Sequence, residues 1–398
     1  MLNIEETKTY RFSFLHLGFR PFFLFASLFA VISMLIWAGL YTTQSILPVQ
    51  NTLPAISWHA HEMLYGYTLA VIAGFLLTAV HNWTGVQTLN GIPLLLLALV
   101  WLLARIFPFI NHPDSLMVMA IFDLGFNILL CLAILYPITK VKQWKQMGLW
   151  LTVFLLSISN MLFYLGLFNK LDTGITLSFY SGIYLIVYLI MLMGRRVIPF
   201  FIEKGVDETV SLTNYQWLDI SIIILMPVFW ISEVFVDQPA FAASTALLLF
   251  GLNALRLKGW YTPGIWNKPL LWILYLAYGW LVLGFALKAA GLFMIINPML
   301  AIHAFTFGGI GLMTLGMMAR VALGHTGRNV FAPPAILKWI FLAAVAGSIF
   351  RVLLPLFAPQ FYALWISLSQ AMWIISFGLF VFIYAPILYK PRIDGKYG

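Results

Sequence analysis

The sequence has one cysteine in 398 residues, Cys131. No internal disulfide can form, so the fold owes nothing to oxidation. There is no CxxCH for covalent haem attachment and no paired-cysteine spacing for zinc or iron–sulfur. Charge is scarce too: Asp, Glu, Lys and Arg make up 9% of residues, against roughly 25% in an ordinary soluble domain. So few charges cannot cover a water-facing surface, which excludes a soluble enzyme, a disordered chain and a secreted disulfide scaffold. What replaces charge is apolar: 62% of residues are hydrophobic and mean hydropathy is +0.96.

A spanning helix needs ~20 apolar residues. Cutting at Pro, Gly and charge clusters gives twelve runs, near 22–41, 58–80, 92–107, 115–138, 146–168, 174–193, 217–236, 239–257, 269–291, 298–319, 334–356 and 361–388. The runs are long and continuous rather than short and alternating, which argues for helices over strands. The expectation is an all-α integral membrane bundle of about twelve spans forming one polytopic domain, 1–398. The polar N-terminal stretch leads into a run too long for a signal h-region, so it reads as a retained anchor. The longest polar connection, near 194–216, is too small to fold alone.

Basic residues set the expected orientation. Eighteen fall in six groups of three: Lys8, Arg11 and Arg20; Lys140, Lys142 and Lys145; Arg195, Arg196 and Lys204; Arg256, Lys258 and Lys268; Arg320, Arg328 and Lys338; Lys390, Arg392 and Lys396. They lie at alternate connections, which predicts both termini in the cytoplasm and an even number of spans. The same rule accounts for the net charge of +9 without nucleic acid as a partner.

Ionisable groups inside a bilayer are costly and usually functional. In the predicted orientation His59, His61, Glu62, Arg105, Asp123, Asn160, Glu233, Lys288, His303 and Arg351 fall in the outer part of their helices, Asp123 ~12 Å and His303 ~8 Å from the helix start. Neutral imidazole ligates haem iron and copper, so His59, His61 and His303 are the candidate ligands. His59 and His61, two residues apart, face opposite sides of a helix, ~200° apart, and would serve different centres. Below His59 runs a small-residue stripe, Gly66, Ala70 and Gly74, wide enough for a flat group or a close helix; below His61 lies Tyr65. At the inner rim His16, His81 and His325 sit beside Arg20, Arg195, Arg196, Arg320 and Arg328, as a hydrated surface or as partners for propionates or phosphates.

At these residues the chain resembles the NnrS family, bacterial membrane proteins tied to the nitric oxide response. The segments are GFRPFF at 18–23, WHAHEMLYG at 58–66, AGFLLTAV at 73–80 with NWTG at 82–85, GRRVIPFF at 194–201, and HAFTFGGIGLMTLGMMAR at 303–320 with LGHTGR at 323–328. In that family a proline usually stands where this chain has His81. The resemblance implies a twelve-helix protein of the bacterial inner membrane that binds haem and copper and protects against nitrosative stress. It retains His59, His61, His303 and His325 as candidate metal-binding residues, with Glu62, Tyr65, Arg105, Arg320 and Arg351 as their surroundings. Nitric oxide is then the expected small-molecule ligand, bound or converted by redox chemistry. Two other readings share these residues: an ion-coupled transporter using Glu62, Asp123, Glu233 and Lys288, and a non-catalytic assembly factor for metal centres.

Overall fold

The computed structural model describes residues 13–43, 53–236, 238–294 and 296–398. Lys8 and Arg11 of the first basic group lie outside them. Twelve helices are long and apolar enough to cross a membrane: α1 Phe19–Thr42, α2 Ala55–Thr84, α3 Gly91–Phe109, α4 Ser115–Lys140, α5 Trp144–Leu167, α6 Gly174–Gly205, α7 Gln216–Val234, α8 Pro239–Gly259, α9 Pro269–Ala290, α10 Pro298–His325, α11 Leu337–Phe357 and α12 Pro359–Tyr389. There is no strand among the described residues. In lipid every backbone amide must be satisfied within the protein, and a helix does this within one segment.

Prolines open four of the spans, at 239, 269, 298 and 359, where the missing N–H would have had no helical partner. Gly85 closes α2 at φ +67°, its N–H bonded to the His81 carbonyl, a left-handed position that suits glycine. One connection is shorter than expected. The GRRVIPFF segment, read as the start of a polar loop, continues α6 to Gly205 because Ile198, Pro199 and Ile202 stay buried against the bundle.

The helices pack mostly in chain order, α3 on α4 through α9 on α10, with α11 on α12 and α12 back on α1. Helices α2 and α10 run through the middle and touch each other. Arg20, at the start of α1, donates to the carbonyls of Leu388 and Lys390 at 2.7 and 2.8 Å, so α1 begins and α12 ends at the same end of the bundle.

Both central helices are locally underwound into wide i→i+5 turns. Glu62–Thr68 in α2 and Ala304–Gly311 in α10 are π-helical, and so is Ile349–Leu353 in α11. Such turns are rare and gather at functional sites. The first two begin one residue after His61 and His303; the third contains Arg351. The wide turn also re-aims the small-residue stripe. A Cβ on Gly66 would meet Arg105 Nη1 and Glu62 Oε2 at 2.7 Å and the Phe29 ring at 2.8 Å; one on Gly74 would meet the Phe23 ring at 2.9 Å. The space expected beneath His59 is filled by α1 aromatics and Arg105, so the stripe serves helix packing.

Candidate functional site

Five spans converge on one buried polar cluster. Helix α2 brings His61, Glu62 and Tyr65, α3 brings Arg105, α4 Asp123, α5 Asn160 and Tyr164, and α6 Ser178. His61, Glu62, Arg105, Asp123 and Asn160 are all buried. Arg105 donates from Nη1 to Glu62 Oε2 at 2.7 Å and from Nη2 to Asp123 Oδ1. The other Asp123 oxygen accepts from Asn160 Nδ2 at 2.6 Å and from the Tyr164 hydroxyl at 3.0 Å.

His61 closes the cluster. Its Nδ1 lies 3.1 Å from Glu62 Oε1, and its Nε2 lies 3.0 Å from Asn160 Oδ1 and 3.2 Å from Asp123 Oδ2. With both carboxyls ionised every one of these partners accepts, and both ring nitrogens donate. An imidazolium and a guanidinium then balance two carboxylates. Each buried ion would cost several kcal/mol alone, and mutual pairing offsets that cost. In this arrangement His61 offers no lone pair to a metal. Tyr65, one turn on, hydrogen-bonds Ser159 Oγ at 2.7 Å and the Ser178 carbonyl at 2.8 Å.

His59 and His61 point to opposite sides of α2, as their spacing predicts. His59 turns away from the cluster and stacks on the Trp37 ring of α1, centroids 4.4 Å apart. Its Nδ1 is buried with no hydrogen-bond partner, and it stands within electrostatic range of His303 and Arg351. His303 Nδ1 lies 2.7 Å from the Met299 carbonyl, and its Nε2 lies 3.1 Å from Arg351 Nη2. A carbonyl only accepts and a guanidinium only donates, so His303 is neutral, protonated on Nδ1, with its lone pair on Nε2. Arg351 also reaches the Tyr362 hydroxyl at 3.3 Å.

The remaining candidates are elsewhere. His325 is at the far end of α10, its ring 5.7 Å from that of Phe19 and its carbonyl accepting from Arg392. His81, Arg20 and Arg392 lie within electrostatic range of it. Arg392 in turn pairs with Asp394 at 2.6 Å and holds that carboxyl below the usual carboxylate range. At the same end Arg320 stacks on Phe201. Glu233 and Lys288, counted as ion-coupling candidates, pair with each other, as Glu62 and Asp123 do with Arg105.

Thus the structure gathers His61, Glu62, Tyr65 and Arg105 in one place, His59, His303 and Arg351 in a second, and leaves Arg320 and His325 at the opposite end. Among the described residues there is no group of three or more His, Cys, Asp or Glu placed to hold a metal ion. Sequence reasoning missed Trp37, Tyr164, Ser159, Ser178 and Tyr362. Hydroxyls and indoles within apolar runs carry no signal of their own, because lipid-facing and interior positions both accept them.

Fold and site together define a polytopic helical membrane protein whose charged and histidine side chains are built into the spans. The sequence profile of the NnrS family, described as NnrS protein, matches residues 13–392; the chain belongs to this family. Membership points to a role in the nitric oxide response. No curated protein matches the chain.

Proposed function

We propose that the protein binds haem and copper in a bacterial cytoplasmic membrane and acts in defence against nitric oxide, by binding it or converting it. Family membership supports the physiological role. The state of His303 is what supports the cofactors. A ligating imidazole is commonly fixed by an N–H bond to a backbone carbonyl, which leaves the other nitrogen to face the metal. His303 has that arrangement: Nδ1–H on the Met299 carbonyl and a lone pair on Nε2. Among the described residues the guanidinium of Arg351 is what covers the lone pair.

His59 supplies a second imidazole with an unpartnered buried nitrogen at the same end. The two fit a group held through one or two histidines, as haem iron is, and imidazole not used by iron suits copper. When bound, these metals would supply redox-active coordination to nitric oxide. Arg351, once displaced from His303, is free to hold a carboxylate or a developing negative charge. His61 acts as a positioning residue: its bonds to α4 and α5 fix the rotation of α2 and so aim His59 towards α1. The deciding measurement is the visible absorption spectrum and copper content of the purified protein, followed by anaerobic nitric oxide consumption with a reductant. A haem Soret band with bound copper is expected. Neither above background would overturn the reading.

A further inference from the structure

Two sequence segments that the proposed centre does not use, GRRVIPFF and the end of HAFTFGGIGLMTLGMMAR, meet in space. Arg320, the last residue of the second, places its guanidinium carbon 3.8 Å above the ring of Phe201, the last residue of the first. Among the described residues Arg320 makes no ion pair and no hydrogen bond. It is well embedded in protein yet lines a cavity of about 270 Å³ together with Gly205, Lys268, Pro269 and the 330–335 segment. That volume corresponds to about nine waters at ~30 Å³ each, room for a hydrated oxyanion.

The charge around it is one-sided. Lys268 is paired with Asp207 at 2.7 Å, which leaves Arg320 as the uncompensated cation among the described residues of the lining. Helix α9 begins at Pro269 on the wall, adding the partial positive charge of a helix start. The guanidinium carbon over the Phe201 ring makes a cation–π contact, and its N–H donors, without a partner among the described residues, suit charge-assisted bonds to a phosphate. Phe331, on the cavity lining, is exposed, as aromatic rings are at headgroup depth.

We propose that this cavity is a phosphate-binding site, filled by the headgroup phosphate of an anionic phospholipid or by a soluble phosphate. The proposal is independent of the haem and copper assignment. The test uses full-length protein delipidated in detergent, titrated separately with phosphatidylglycerol and with inorganic phosphate, with bound molecules counted by native mass spectrometry. Arg320→Ala should weaken one saturable site about tenfold. Arg320→Lys should weaken it less, and Lys140→Ala, at an exposed lysine outside the cavity lining, should leave it unchanged. Saturation by phosphatidylglycerol alone assigns the lipid source, and saturation by inorganic phosphate assigns the soluble one. If Arg320→Ala does not fold, Arg320→Lys, which keeps the charge but loses the guanidinium's paired donors, and Phe201→Leu, which keeps the charge but loses the ring beneath it, must each reduce affinity. Wild-type affinity in every variant that folds, or no saturable site in the wild type, overturns the proposal.

Discussion

Arg351 donates from Nη2 to the Nε2 of His303 across 3.1 Å. The bond joins the residue just before the wide turn of α10 to the wide turn of α11. It covers a histidine lone pair that the proposed centre would use, so under that proposal Arg351 would have to move before His303 could ligate.

His303→Ala is expected to remove haem while the protein still inserts and folds. The porphyrin's apolar contacts would remain, but the coordination bond would not. Arg351→Met should keep haem and raise the rate of its uptake, because the competing donor is gone. The checks are the Soret absorbance and the kinetics of haem loading. A wild-type spectrum in His303→Ala makes this residue structural.

His59 and His61 should behave differently. His59→Ala is expected to lower haem or copper content with little change in thermal stability, since its Nδ1 has no partner to lose. His61→Ala is expected to destabilise the fold first, because it leaves Glu62 and Asp123 short of a cation. Identical metal contents and melting temperatures for the two variants would contradict the division of roles.

Arg105→Met should cost about 3–5 kcal/mol, the range for removing one partner of a buried ion pair. It strands two carboxylates in the bundle. Adding Glu62→Gln and Asp123→Asn should recover much of that loss, since the stranded charges are then removed. Gly66→Leu should behave like a mild version of Arg105→Met, because the new side chain collides with Arg105, Glu62 and Phe29. Melting curves in detergent test this; additive losses along the series would show that the four residues are not one network.

Reporter fusions at Lys142, Lys258 and Gly398 should all read cytoplasmic, with one at Gln50 on the opposite face. The grouped basic residues motivate the side. The meeting of Arg20 with the end of α12 motivates the agreement between Gly398 and the start of α1. A Gly398 fusion on the far side would overturn the orientation and move the histidine centre to the cytoplasmic face.

The amino-acid sequence alone determined the helical class, the number of spans and which chemical groups are present inside them. The reason is local: unbroken apolar runs of spanning length must satisfy their own backbone bonds in lipid, and an ionisable residue within such a run is visible wherever it points. It also indicated that His59 and His61 face different neighbours, because both lie in the regular turn Ala55–His61, ahead of the first wide one. What only the tertiary structure decided is the state of each histidine. His61 is closed by Glu62 from its own helix and by Asp123 and Asn160 from two others, and His303 is covered by Arg351 from a third. All of those partners but Glu62 lie tens of residues away in sequence, beside π-turns that no apolar periodicity announces. The donors and acceptors around an imidazole, which decide whether it holds a proton or a lone pair, exist only once those helices have packed.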